Sequence, residues 1–409
     1  MEAQQARWSY VVTGVFIIAI AIAFARFAYG VVLPFMRDGL SITYQQAGFL
    51  GTATSFGYLC TVIFAGVASA KWGGKQSILL GLLVIFAGFV GLSLTPSYEL
   101  GILFMCMLGI GTAFIFTSLV TILTGWFPTK KGLVIGYMNG GAGIGMLFVG
   151  LVVPYVNKLY PEIGWRLTWG SFAVVSVLVL VQTLFFMRNP PRLQAGGIKQ
   201  KQSTSSSALK TVYLNRKVLL VGAIYGIVGL TYISQTIFIM SFMLKSGISP
   251  ALAGQLITLN GILSVFSAPF WGGLSDKLGR RTALILAMGL NLIATVFPVL
   301  YPSVLSFACN SILIGSIGTG IFTLIQALST EQVEPRDTPI AFSYVTFIYA
   351  FGQFIGPATS GWFIDNAGGF QSAFLFSSVC ILIALVLTTR LQKQKQHTAG
   401  MDVRESGAK

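Results

Sequence analysis

Charge is what this chain lacks. Only 9% of its 409 residues are Asp, Glu, Lys or Arg, against 55% hydrophobic residues, and the mean hydropathy is +0.80. A soluble globular domain carries about 25% charged residues, so a soluble enzyme or binding module is excluded and an integral membrane protein is expected. Acidic residues are scarcest, 11 in all. None lies deep in an apolar span: Glu99, Glu162 and Asp365 fall near span ends, and Asp276 in a connector. The single histidine, His397, is near the C-terminal end. Membrane proton relays are built from buried carboxylates and histidines, so the sequence offers no clear relay. Clusters of His and Asp or acidic metal motifs are missing too, which argues against an enzyme and against a metal or other cofactor. The four cysteines, Cys60, Cys106, Cys309 and Cys380, lie in apolar spans without zinc or disulfide spacing and read as small core residues.

What is present is a series of twelve apolar segments, roughly 10–36, 44–70, 77–95, 99–125, 133–157, 166–187, 217–243, 249–274, 282–301, 303–328, 339–364 and 371–390. Each is long enough for a spanning helix, which needs about 20 apolar residues. Each is expected to be helical, because lipid offers the backbone no outside partner. Twelve crossings place both termini on one side. The net charge of +15 is distributed accordingly: 21 of the 26 Lys and Arg fall on the side of the termini, four on the other, and Arg26 within a span. That is the positive-inside pattern, so both termini are expected in the cytoplasm, and the basic charge reports orientation rather than a nucleic-acid partner. The lipid bilayer is the expected environment. The first apolar run is too long for a cleavable signal and contains Arg26.

Residues 188–216 form the longest connector, opening Arg188-Asn189-Pro190-Pro191-Arg192 and continuing through Ser203 to Ser207. Its composition predicts a flexible basic linker. The predicted organisation is a six-helix unit over 1–187, the linker 188–216, a second six-helix unit over 217–391 and a disordered tail over 392–409. The halves repeat at an offset of 206: Ala47-Gly48 recurs as Ala253-Gly254, Gly66 as Gly272, Gly73 as Gly279 and Gly150 as Gly356. Duplicated helical halves are a transporter feature, with the substrate site where the halves meet.

Arg26 stands out within this frame. The stretch from Val11 to Ala25 holds no charge, and Phe27 to Leu33 follow it. A guanidinium at mid-membrane costs about 2.5–3.5 kcal/mol on insertion scales. It needs a wet cavity or a partner anion, and the apolar spans supply no carboxylate. Two readings stay open: an electrostatic anchor for a substrate carboxylate, to which a guanidinium bonds in bidentate fashion, or a structural arginine bonded to carbonyls or Tyr hydroxyls.

One connector carries a motif, Gly272-Gly273-Leu274-Ser275-Asp276-Lys277-Leu278-Gly279-Arg280-Arg281. It resembles in full the signature loop of the major facilitator superfamily, G-x-L-a-D-x-x-G-R-K/R. The resemblance implies an all-α integral membrane fold of 12 transmembrane helices in two pseudo-symmetric six-helix bundles. It also implies a gating latch in which Asp276 engages Arg280 or Arg281 and a neighbouring helix N-terminus, holding the cytoplasmic side closed in one state and breaking in the other. The first-half copy, from Gly66 to Lys75, is degenerate, with Ala70 where the family has its Asp. Met105 stands where the family's proton-coupling arginine precedes Gly109-Ile110-Gly111, and the drug-antiporter Gly-Pro motif is absent from the fifth segment; a similar one appears in the eleventh as Gly352 to Pro357. Ala25 to Pro34 resembles the first helix of poorly characterised bacterial members, and Gly164-Trp165-Arg166 is similar to a motif in several branches, including organic-anion and monocarboxylate carriers.

In this fold the first, fourth, seventh and tenth helices line the central cavity, as the resemblance implies. Polar residues three or four apart share a helix face. The candidate substrate-binding residues are therefore Arg26 and Tyr29, Thr117 and Thr121, Tyr232 and Gln235, and Thr323 and Gln326, joined by Tyr349 and Gln353 on the eleventh segment and by the unpaired amides Asn139 and Asn260 on the fifth and eighth. For each hydroxyl the bland alternative is a bond to its own helix. The resulting expectation is a secondary or exchange carrier for a small organic anion working by alternating access. The alternative is an efflux pump for hydrophobic compounds, which the 13% aromatic content would suit. Many members of the superfamily act as monomers; substrate identity, direction and coupling ion are not written in the sequence.

Overall fold

The computed structural model describes residues 2–128, 131–190, 212–333 and 337–391. Most of the predicted linker and the whole predicted tail lie outside the described residues. Among the described residues, twelve helices are long and apolar enough to cross a membrane. The first, α1, is continuous through Glu2–Ile18, Ala19–Phe27 and Ala28–Leu40. There follow α2 (Tyr44–Trp72), α3 (Gly74–Leu94), α4 (Tyr98–Trp126), α5 (Lys131–Leu159), α6 (Gly164–Phe186), α7 (Arg216–Lys245), α8 (Pro250–Leu278), α9 (Arg280–Leu300), α10 (Val304–Thr330), α11 (Thr338–Asn366) and α12 (Gly369–Thr389). Each helix overruns its apolar run at one end or both, because polar residues at the boundary still gain intrahelical hydrogen bonds.

The repeat is visible as local geometry. Thr43 caps α2 and Ser249 caps α8, each side chain accepting from the N–H three residues on, Gln46 and Leu252. Gly73 and Gly279 divide α2 from α3 and α8 from α9 with nearly the same backbone, φ +95 and ψ 148 against φ +84 and ψ 144. That positive φ, costly for any residue with a Cβ, makes the turn tight enough to reverse the chain with one residue between helices. The two signature-loop copies are therefore one turn used twice.

Ring packing holds the first half together. Phe24, Phe89, Trp169 and Phe172 contact one another, with Phe24 stacked on Phe172 at 4.4 Å between centroids. The Gly164-Trp165-Arg166 motif clamps the same half. Arg166 Nη1 donates to the Thr95 carbonyl at 2.6 Å, satisfying one of the orphan acceptors after α3, while its guanidinium lies 4.2 Å over the Trp165 ring.

The halves, α1–α6 and α7–α12, meet closely on the membrane face away from the termini. A Cβ added to Gly254 would lie 2.1 Å from the Gly150 carbonyl oxygen, and one on Gly48 would lie 2.3 Å from that of Pro357. Gly30 of α1 approaches the Thr236 carbonyl of α7 to 2.1 Å on the same measure. Such approaches need residues without side chains. Asp365 of α11 completes the seal by accepting from the Gln45 N–H at 2.6 Å and the Tyr44 N–H at 3.3 Å, at the N-terminus of α2. On the face of the termini the picture reverses. Added Cβ atoms at Gly136, Gly272 and Gly273 would meet nothing within 4 Å. All hydrogen bonds found between the halves among the described residues lie from mid-membrane toward the sealed face.

Candidate functional site

The site begins with an irregular helix. Over Ala19–Phe27 the backbone is π-helical, and the Ala28 N–H reaches back to the Ala23 carbonyl. π-Helical stretches loosen the ladder and are frequent at functional positions. In lipid the loosened carbonyls need protein partners, and Thr112 of α4 supplies one, its hydroxyl shared between the Ala21 carbonyl at 3.0 Å and its own Leu108 carbonyl at 2.8 Å. Helix α5 presses on the same stretch through glycine: a Cβ on Gly145 would lie 2.4 Å from that of Ala23. Packed backbone on two sides thus fixes where Arg26, near the end of the stretch, emerges.

Arg26 is half-buried and engages the opposite half. Its Nη2 donates to Gln353 Oε1 at 3.0 Å, and its guanidinium lies 4.9 Å from the Tyr58 ring centre. No carboxylate pairs with it: the salt bridges among the described residues are Arg37–Asp38 and Arg280–Glu331. A guanidinium has five N–H donors, and a single hydrogen bond to a neutral amide leaves most of them open. From Gln353 a polar and aromatic chain runs on. Gln353 Nε2 donates to the Tyr349 hydroxyl at 2.6 Å, Tyr349 stacks on Tyr225 at 4.2 Å, and the Tyr225 hydroxyl accepts from Gln326 Nε2 at 3.1 Å. Four of the candidates, Arg26, Gln353, Tyr349 and Gln326, are thereby linked across α1, α11, α7 and α10.

Beside this chain lies a cavity between the halves, with a water-accessible volume of about 90 Å³. Its walls come from α1, α5, α7, α8 and α10, and they include the predicted Asn139, Tyr232, Gln235 and Asn260. No charged side chain lines it. Arg26 is not a wall residue; its neighbour Phe27 is, with its ring edge-on to that of Tyr232 at 6.2 Å. Asn310, Ser311, Met146 and Phe27 also line the cavity and are not among the sequence candidates. The signal that selects Asn139 and Asn260, an amide in an apolar span, also fits Asn310. Tyr58, under the guanidinium, carried no sequence signal at all.

Other candidates are placed elsewhere. Tyr29 is fully buried and donates to the Ala47 carbonyl at 2.7 Å, pinning α1 to α2 within one half. Thr121 bonds the Thr117 carbonyl and Thr323 the Thr319 carbonyl, each on its own helix, and the hydroxyl of Thr117 makes no hydrogen bond to any described residue. At the gate, Arg280 Nε pairs with Glu331, and Arg281 donates to the Thr389 carbonyl. Asp276 is exposed and makes no hydrogen bond or ion pair among the described residues. In this conformation Asp276 is not joined to Arg280 or Arg281 in a latch.

Residues 18–389 match the family described as "Uncharacterised MFS-type transporter YbfB". Among curated relatives, a hexuronate transporter of Bacillus subtilis (strain 168) is 22% identical over 396 residues, covering 89% of this chain and 90% of that protein. A cis,cis-muconate transport protein of Acinetobacter baylyi is 26% identical over 377 residues, covering 88% of this chain and 89% of that one. Among solved structures, a bacterial homologue of the human lysosomal transporter Spinster, inward-facing and unoccupied, superposes with a TM-score of 0.79 at 16% identity, covering 94% of this chain and 96% of that one. That last likeness speaks to the fold alone.

Proposed function

The chain belongs to the major facilitator superfamily, a family of membrane transporters and not of enzymes, and from that premise we propose that it carries a small organic anion, a carboxylate, across the cytoplasmic membrane by alternating access. The observation that carries the proposal is Arg26: a permanent cation at mid-membrane, held by one neutral amide and one ring, with open donors and no carboxylate partner. A desolvated guanidinium gains most from an anion that it can bind in bidentate fashion. The names of two relatives, which carry hexuronate and cis,cis-muconate, support the class.

In this proposal the moving units are residues 1–187 and 217–391, both termini are cytoplasmic, and the described conformation faces inward. Release of Gln353 from Arg26 by an incoming carboxylate would undo a hydrogen bond between the halves where they meet. Coupling is exchange, facilitated diffusion, or symport of a proton on the substrate's own carboxylate. The test is thermal stabilisation of the purified protein across an organic-anion library, repeated with Arg26→Ala. Anions that stabilise the native chain and fail with the variant support the anchor. Hits confined to cations and lipophilic drugs refute it. They would favour a second reading, efflux of hydrophobic compounds, for which the ring cluster of Tyr225, Tyr232, Phe322 and Tyr349 speaks.

A further inference from the structure

Resting on that anion reading, we propose that the substrate is a polyhydroxylated carboxylate, its acid group at Arg26 and its hydroxyls in the amide-lined cavity beside it. Membrane interiors seldom leave hydrogen-bonding groups idle, because each unsatisfied one costs free energy. The cavity holds several that no protein group satisfies. The carboxamides of Asn139 and Asn260 line it and make no hydrogen bond to any described residue. The Tyr232 and Ser311 hydroxyls likewise make none, and the Gln235 amide only accepts, weakly, from Thr295 at 3.4 Å, leaving its NH₂ free.

These groups are neutral and of both polarities. An asparagine side chain offers two donors and two acceptor sites, and a hydroxyl offers one donor and two acceptor sites. Hydroxyls of a ligand match that array, since each donates and accepts at once. A second charge does not match it, because no ionic partner lines the cavity. An aliphatic tail matches poorly, since it would strip water from the amides and give nothing back. Asn139 belongs to the first half and Asn260 to the second. A ligand bonded to both therefore spans the plane on which the halves move. Phe27, next in the chain to Arg26, and Tyr232 are wall residues in ring contact and give the carbon skeleton an apolar surface.

The test uses three probes of matched length on the purified full chain, with binding read by thermal shift and by calorimetry. D-gluconate has the acid and the hydroxyls, hexanoate the acid alone, and sorbitol the hydroxyls alone. The native chain is expected to bind gluconate at least tenfold more tightly than hexanoate. Asn260→Leu and the milder Tyr232→Phe are each expected to weaken gluconate about tenfold without weakening hexanoate, which Asn260→Leu should if anything favour by removing an amide that its tail would desolvate, and retained hexanoate binding shows that the variants fold. Equal affinity for gluconate and hexanoate, or equal loss of both in the variants, overturns the hydroxyl subsite and leaves the anion anchor standing. Sorbitol binding that depends on Asn260, with no binding of either acid, overturns the anchor and the carboxylate class with it. Failure of all three probes to bind overturns the proposal.

Discussion

Replacing Gly254 with Ala tests the seal between the halves most directly. The added methyl carbon would sit 2.1 Å from the Gly150 carbonyl oxygen and 2.6 Å from Pro154 Cγ. The first contact is over an ångström short of ordinary van der Waals separation, and its partner is backbone, which cannot swing aside as a side chain could. The strain is relieved only if α5 and α8 part. Overpacking of this kind costs about 1–3 kcal/mol. Under the proposed alternating access all of it falls on the sealed conformation, since the two helices would part when that face opens. A factor of ten in a two-state equilibrium corresponds to about 1.4 kcal/mol, so the population open on the face away from the termini should rise by about fivefold to a hundredfold. The assay places a cysteine at Ser311, a cavity wall position, in a chain whose four native cysteines are changed to serine. Right-side-out vesicles are then treated with a membrane-impermeant maleimide. In the glycine background labelling should be slow, and with Gly254→Ala it should accelerate about tenfold. An unchanged rate in a variant that still elutes as a folded protein would refute the idea that this contact holds the outer face shut.

Two further changes probe single hydrogen bonds. Asp365→Ala removes the acceptor for the Tyr44 and Gln45 N–H groups at the α2 N-terminus; a cap of this kind is worth about 1 kcal/mol, so the same maleimide assay should show a several-fold faster rate, and no change would mean the bond adds nothing to the seal. Thr112→Val removes the hydroxyl that serves the Ala21 carbonyl in the π-helical stretch; hydrogen bonds inside membrane proteins contribute about 0.6–2 kcal/mol, so the unfolding temperature in detergent should fall by a few degrees, and an unaltered one would show that the carbonyl finds another partner.

The sequence was sufficient for whatever depends on run length and composition. Twelve apolar runs in a solvent that forbids unpaired backbone become twelve helices, and the 206-residue offset between glycines becomes a repeated turn at Gly73 and Gly279. It was also sufficient to select Arg26, because a lone cation in an apolar run is conspicuous without any knowledge of its neighbours. Asn139 and Asn260, chosen as unpaired amides in apolar spans, lie on the cavity wall, and so do Tyr232 and Gln235, chosen as one face of a helix that the family resemblance assigns to the cavity. Tyr29 and Thr121, chosen by helix face, instead give their hydroxyls to carbonyls, Tyr29 to Ala47 on the next helix and Thr121 to Thr117 on its own, and hydropathy records neither the helix rotation that decides the first nor the side-chain rotamer that decides the second.

Tertiary structure alone decided the rest. The π-helical stretch at Ala19–Phe27 lies where α4 and α5 pack on α1, and nothing in its own residues announces it. The partner of Arg26 is 327 positions away in the chain, and the Tyr58 ring beneath it belongs to a span with nothing unusual in its sequence. Which face is sealed is likewise a matter of assembly. Gly48, Gly150 and Gly254 mark places where backbones can meet, but only the docked halves determine that they do meet, and at which end of the membrane.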